Sequence, residues 1–332
     1  MTAQDNESGA KVPSPGTAGT TSSTVRYVVG YGGDKRSREA VKLAAVMARA
    51  FNAQLEIVCV LRADDPYQQV YPPVGDISPM LRQQASGWLR KGLELVPDDV
   101  AARTHIRTSP SIAGGLLDAV TEFGAGLIVV GAASGKYTAK FSVGPVTDTL
   151  LHRATVPVAL TPRGYKGTEP ITRMYAGVGM RPGAQRVIDV AKRAVKRTGL
   201  DLVLVSFLPL DQIHGEPEQA VATAREKLRE NAAEIGVDHP VSVTVAQGKN
   251  LKETVTSMDW DPGSVLFVGS SRLAGDRQIF LGSTAARILR HLPVPMIVLP
   301  RGANDPSASP ADDRHDGGRG MGGAGPDEEE VC

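Results

Sequence analysis

The residues best placed to do chemistry lie between Val265 and Leu292. An apolar run from Val265 to Val268 ends in Gly269, and Ser270, Ser271 and Arg272 follow. After nine more residues, Gly282, Ser283 and Thr284 open a segment with Ala285, Ile288, Leu289 and Leu292 at helical spacing. Strand, small-residue loop and helix in that order form a receptor for an anion. The first amides of a helix lack intrahelical acceptors and carry the positive end of the macrodipole. Glycine at 282 lets a ligand approach the backbone, and two hydroxyls stand beside it.

The elements that must position this loop follow from periodicity. Val25 to Tyr31 reads as a strand, and Arg38 to Phe51 as a helix with Ala40, Val41, Leu43, Ala44, Met47, Ala48 and Phe51 at its apolar positions. Gln54 to Leu61 is a second strand and Pro79 to Leu95 a long amphipathic segment. Val100 to Thr108, Ala113 to Phe123, Ala125 to Gly131, Val146 to Arg153 and Val156 to Leu160 continue as strand, helix, strand, helix, strand. Strands alternating with helices, several of them continuously apolar, call for a parallel sheet covered on both faces.

The same order then repeats. Arg173 to Gly179 and Ala184 to Arg197 match the first pair, Leu202 to Phe207 and Pro217 to Ile235 the second, and Val241 to Gln247 and Leu251 to Met258 the third. Ser264 to Gly269 and Ser283 to Leu292 match the fourth, and Val294 to Leu299 closes the unit. The expectation is an arm over 1–24, a domain over 25–162, a linker over 163–171, a second domain over 172–301 and an acidic tail over 302–332. The arm and the tail lack apolar periodicity and read as disordered.

Composition narrows the function. The 332 residues are 41% hydrophobic and 22% charged, as in a soluble globular protein. No apolar run is long enough to span a bilayer and no secretory leader is evident, so the expected location is the cytoplasm. The net charge of +1 divides unevenly: the tail carries eight acids against Arg314 and Arg319, the arm is at −1, and residues 25–301 are at +8. That suits an anionic ligand, but lacks the dense basic stripe of a nucleic-acid binder. Two cysteines make neither a disulfide framework nor a metal cluster; Cys59 is expected in the core and Cys332 as an exposed thiol. His105, His152, His214, His239, His291 and His315 show no metal-ligand spacing. His152 and His291 hold equivalent places near the ends of the fourth helices, where the dipole favours an imidazolium.

The combination of Gly269, Arg272 and Gly282 in a glycine loop of fixed spacing with a closing strand that begins Val294-Pro295, mirrored in Val156-Pro157, resembles the universal stress protein family over about residues 25–301. The resemblance implies two five-stranded parallel sheets, each in the order 3-2-1-4-5, paired through their last strands. Within one chain that pairing would bury Val294, Met296 and Val298 against Val156 and Val158; further assembly into a homodimer stays open. It also implies ligands at the carboxyl ends of strands one and four, where the winding direction reverses. Members that bind ATP use an Asp just after strand one for the nucleoside and the glycine loop for the phosphates.

Carried over residue by residue, the second copy keeps Gly269, Gly282, Ser283 and Thr284, with Val268 preceding the loop and Arg272 at the middle glycine. An arginine there could fork a phosphate or fill the groove. The first copy keeps Gly131 and Gly144, but Ser134 stands at the middle glycine and Pro145 has no amide to give. Asp148, one turn in, is expected to satisfy the free amides itself and repel an anion. Lys136 and Lys140 add positive charge to that loop. Neither copy has the strand-one Asp: Gly32 and Gly179 stand in its place, and Asp34 lies two residues on. Losing such a carboxylate costs about 1.5 to 3 kcal/mol, or roughly tenfold to hundredfold in affinity.

A dinucleotide fold shares the alternation and begins Gly177-Val178-Gly179. Pro182 occupies its third glycine position, however, and no acid ends the second strand of that copy. Two readings therefore stand. One is a stress-response module binding ATP, with magnesium, or another adenine nucleotide in the second copy, with at most slow hydrolysis since no base is evident. The other is an interaction module with degenerate sites that acts through a protein partner. Neither needs a cofactor to fold.

Overall fold

The computed structural model describes residues 10–11, 25–63, 78–131, 143–179, 184–213, 215–235, 241–270, 279 and 281–301. In the first half the strands are β1 (Ala10–Lys11), β2 (Val25–Gly30), β3 (Ala53–Arg62), β4 (Ala102–Ser109), β5 (Leu127–Gly131) and β6 (Val158–Thr161). The helices are α1 (Lys35–Phe51), α2 (Ser78–Leu93), α3 (Ile112–Phe123) and α4 (Pro145–Arg153). The second half contains β7 (Arg173–Gly177), α5 (Gln185–Thr198), β8 (Asp201–Pro209), α6 (Pro217–Ile235), β9 (Val241–Gly248), α7 (Leu251–Thr256), β10 (Ser264–Gly269), α8 (Ser283–Leu289) and β11 (Met296–Leu299).

All strands join one sheet in the order β1-β4-β3-β2-β5-β6-β11-β10-β7-β8-β9. Each half is the 3-2-1-4-5 winding that the resemblance implies. The halves meet where β11 runs antiparallel to β6, with Val298 opposite Val158, Ile297 opposite Ala159 and Met296 opposite Leu160. Alternation along these strands sends side chains to two apolar layers, and each layer contains residues of both halves. Ala159 and Ile297 lie in one, Val158, Leu160, Met296 and Val298 in the other. On the first layer α1 and α5 pack together, with the Arg197 guanidinium 5.5 Å from the centre of the Phe51 ring. Cys59 lies in this layer, where burial pushes its thiol up to about 11.

Several boundaries differ from the reading of the sequence. β6 and β11 start two residues later than expected, because Pro157 and Pro295 have no N–H for a ladder; their carbonyls accept from Ile128 and Leu266. The last helix stops at Leu289 rather than Leu292, although Leu292 stays buried. α7 stops at Thr256, leaving Met258 outside it. The arm read as unstructured over 1–24 contributes β1, antiparallel to β4. Lys11 holds it there, its Nζ donating to the Val96 carbonyl at 2.7 Å and pairing with Asp98 at 2.6 Å. The acidic tail, Cys332, His214, His239 and His315 lie outside the described residues.

The chain has two tryptophans, Trp88 in the first half and Trp260 in the second. Urea unfolding followed in Trp88→Phe and Trp260→Phe variants is expected to give coincident midpoints, since both apolar layers cross the β6–β11 seam. Met296→Ala, at a site 0% exposed, should lower the unfolding free energy seen by either tryptophan by about 2 to 5 kcal/mol. Two separate transitions would show that the halves unfold independently.

Candidate functional site

In the second half, β7 and β10 end side by side. A Cβ on Gly177 would lie 3.3 Å from the Phe267 carbonyl oxygen, so the strands leave the sheet in close contact. Two residues on, Gly179 has open space around it. Gly269 pairs with Leu299 at the end of β10, beneath the buried Val268. Gly282 is the N-cap of α8 in extended conformation; among the described residues no side chain caps that helix, and Ser283 and Thr284 are exposed at its mouth. Ile288 and Leu289 seat the helix on the core, and Ile279, 1% exposed, ties down the loop before it. Sequence reading missed Ile279 because a lone isoleucine in a loop has no periodicity. Gly179, Val268, Gly269, Gly282, Ser283 and Thr284 thus belong to one end of this half; Arg272 and Met180 lie outside the described residues.

The first half uses its glycines otherwise. Gly131 ends β5 opposite Thr161, and a Cβ there would run into the Arg36 carbonyl oxygen. The first turn of α1 therefore lies on the end of β5, where a phosphate would have to approach. Gly33 has φ +75°, and a Cβ there would be 2.6 Å from the Trp88 ring. Tyr31, 4% exposed, lies against Gly92, where an added Cβ would be 3.0 Å from its ring. The turn after β2 is thereby held under α2, although Gly32 itself faces open space. Gly144 N-caps α4 in extended conformation with Pro145 next. Ser134, Lys136 and Lys140 lie outside the described residues.

Asp34 is the N-cap of α1. Its Oδ1 accepts from the Ser37 amide at 2.8 Å, and its Oδ2 accepts from Arg36 Nε at 3.0 Å. Partial burial alone would raise its pKa, but the Ser37 hydrogen bonds and the Arg36 charge outweigh that and hold the carboxyl below its usual range. A carboxylate so engaged cannot reach for a nucleoside without uncapping α1.

Two electrostatic expectations need correction. Asp148 turns toward the next turn of its own helix, its Oδ1 3.7 Å from His152 Nδ1, while that nitrogen lies 2.7 Å from the Asp148 carbonyl oxygen. His291 lies just past the last turn of α8, its amide donating to the Ile288 carbonyl at 3.0 Å. α8 stops two residues before it, and burial together with Lys252, Arg290 and Arg287 pushes its pKa below 6.5. The local cations repel the imidazolium that the dipole was expected to favour.

Asp34→Ala is expected to cost about 1 kcal/mol of stability near neutral pH, the usual worth of such a cap. Because the folded carboxyl titrates below its unfolded value, this contribution is complete above the unfolded pKa of about 3.9. It is lost as pH falls through the folded value. Thermal unfolding of both proteins from neutral to strongly acidic pH should therefore show the difference shrinking on acidification.

With this geometry in view, comparison with known proteins gives a consistent result. The universal stress protein family model matches residues 26–162 and again 171–300. A universal stress protein of Mycobacterium tuberculosis is 29% identical over 288 residues, covering 82% of this chain and 99% of that protein. The crystal structure of a universal stress protein from Archaeoglobus fulgidus superposes with a TM-score of 0.61 at 18% identity, covering 83% of this chain and 98% of that one. A functionally unknown protein from Pseudomonas aeruginosa PAO1 does so with a TM-score of 0.54 at 21% identity, covering 84% and 93%. These two solved structures share the fold. With two family matches along its length, the chain belongs to the universal stress protein family.

Proposed function

We propose that the chain is a stress-response regulator built of two domains, 25–162 and 172–301, which pair within one molecule, and that the second domain binds ATP, with magnesium, or another adenine nucleotide. The observation that carries this reading is the contrast between the two glycine loops. In the first half Arg36 closes over Gly131 and Trp88 over Gly33. In the second, Gly179 is open, as its counterpart Gly32 is. Among the described residues neither α8 nor α4 has a side-chain cap, but α8 begins with Ser283, whose amide can donate, where α4 begins with Pro145, which has none. Phosphate oxygens would meet those amides and the hydroxyls of Ser283 and Thr284, with Arg272 in the same loop. α8 has only seven residues, so the dipole is short and the amides matter more than the field.

A second reading has its own observation. Gly32 and Gly179 stand where a nucleoside-fixing carboxylate is expected, and Asp34 is spent on the cap of α1. An interaction module that acts through a protein partner would need neither carboxylate. In both readings the protein works in the cytoplasm; among the described residues no helix is long and apolar enough to cross a membrane.

Calorimetric titration of the whole protein with ATP and magnesium separates the two. Binding is expected in the high micromolar to millimolar range, weakened by the missing carboxylate. Gly282→Val should abolish it and Gly144→Val should leave it intact. Absence of heat and of any thermal shift at millimolar nucleotide would remove the first reading, and the reverse pattern of variants would move the site to the other half.

A further inference from the structure

The third strands of the two halves, β4 and β9, lie at opposite sides of the sheet, yet they are finished differently. β4 carries Arg103, His105 and Arg107, and the start of its outer edge, Ala102 and Arg103, pairs with β1. Ala102, Thr104, His105, Ile106 and Ser109 are buried. β9 reads Val241, Ser242, Val243, Thr244, Val245, Ala246, Gln247, Gly248, without a charge or a proline. Among the described residues it pairs only with β8, and only Ala246 of the strand is buried. Ser242 and Gln247 are exposed, and the three valines are half covered on the face of α6. An eight-residue edge with β-branched residues at Val241, Val243, Thr244 and Val245, no charge or proline within it and no covering segment among the described residues, is a template for another strand.

The face of β9 opposite α6 is open as well. In the first half α3 has twelve residues, and its last turn lays Phe123 over His105, ring centres 4.5 Å apart. α7 has six. What remains in the second half is a hollow of about 590 Å³ reaching β9, lined among others by Tyr175, Val203, Ser242, Thr244, Ser257 and Met258.

We propose that β9 is the surface through which two copies of this chain associate, edge to edge and antiparallel about a two-fold axis. The sequence of the edge is complementary to itself. With the axis at Val243, Val243 faces its own copy, Val241 faces Val245 and Ser242 faces Thr244. With the axis at Thr244, Thr244 faces itself and Val243 faces Val245. In the first register valines meet only valines on one face and small residues meet on the other, the cross-strand pairs that stabilise sheets, whereas the second sets Val241 against Gln247. No like charges meet across the seam. β1 of each copy is already used at β4, so the occupant is β9 itself rather than an exchanged arm. The hollows of the two copies would then lie along one seam. This association requires no nucleotide and stands apart from the proposed ligand site.

Sedimentation velocity on the full chain tests it, using S242K/T244K and S242E/T244E alone and mixed. The native protein is expected at twice the chain mass, each charged variant at the chain mass with an unchanged circular dichroism spectrum, and the equimolar mixture again at twice the mass. Should the double variants fail to fold, Ser242→Lys and Ser242→Glu at the exposed position serve in the same way. A monomeric native protein, a dimer indifferent to the charges, or monomeric variants that do not pair on mixing would each overturn the proposal. Removal of residues 1–24 should leave the mass of the assembly at two chains; a monomer there would assign the contact to the arm.

Discussion

The antiparallel ladder between β6 and β11 puts Val158 against Val298 and Leu160 against Met296, and it converts two five-stranded sheets into one. Each half by itself would expose the edge of its last strand together with the apolar rows on both sides of it. Joined, the rows continue: one layer holds Val29, Ala159, Ile297 and Ala176, the other Ile128, Val158, Val298 and Leu266. The five wound strands of each half run parallel, so reversal at the seam reverses everything beyond it. The carboxyl ends of β2 and β5 therefore open at the opposite end of the sheet from those of β7 and β10. Sites so separated share no side chains, and changes in one leave the other's geometry alone.

That independence accounts for how differently one loop pattern is used. A glycine at the end of the fourth strand permits close approach, but it does not decide what approaches. In the first half the approach is made by the protein's own Arg36 carbonyl, and Gly131 is a packing requirement. The neighbouring turn is held by Trp88 over Gly33 and Tyr31 over Gly92, and Asp34 binds the start of α1. These contacts occupy the space and the donors that a phosphate would otherwise use. Gly179 in the second half is open, as its counterpart Gly32 is, so the difference lies at the helix starts, where α8 has Ser283 and α4 has Pro145.

The alternation of strands and helices, the internal repeat and the family pattern were legible because each is carried by spacing along the chain. The winding order came with the resemblance, and the hydrogen-bonded register agrees with it. What sequence missed involves residues far apart in the chain or competition between local signals. Trp88 gives no sign that it will meet Gly33. Asp34 three residues before Ser37 is a recognisable cap, but the basic run Lys35, Arg36 and Arg38 hid the start of α1, which seemed to begin where apolar spacing did. Met258 continued the apolar spacing of α7, yet the helix had already closed and Ser257 turns its hydroxyl back to the Gln247 and Thr254 carbonyls. His291 was read from the helix alone, while its titration is set by burial and by cations that include Lys252, on another helix.

The connection between the halves follows from the same reversal. Because β7 runs opposite to β6, the chain leaves β6 at the end of the sheet where β7 begins. Between them lie β11 and β10, a span of three strand spacings or about 14 Å. Residues 163–171 can cover roughly 30 Å when extended, so the link has slack to spend on contacts. It lies along α1: the Gly164 amide donates to the buried Glu39 carboxylate at 3.0 Å, and Tyr165 is buried enough to push its phenol up to about 12. Beyond it Ile171 enters the core and the Thr172 amide donates to the Gly263 carbonyl at 2.7 Å. A connection tied to α1 at Gly164 and close to it at Gly167 holds β7 beside its own first half at high effective concentration, which favours pairing within one chain over exchange between two. The seam is thus satisfied internally, and self-association is left to the outer edge at β9.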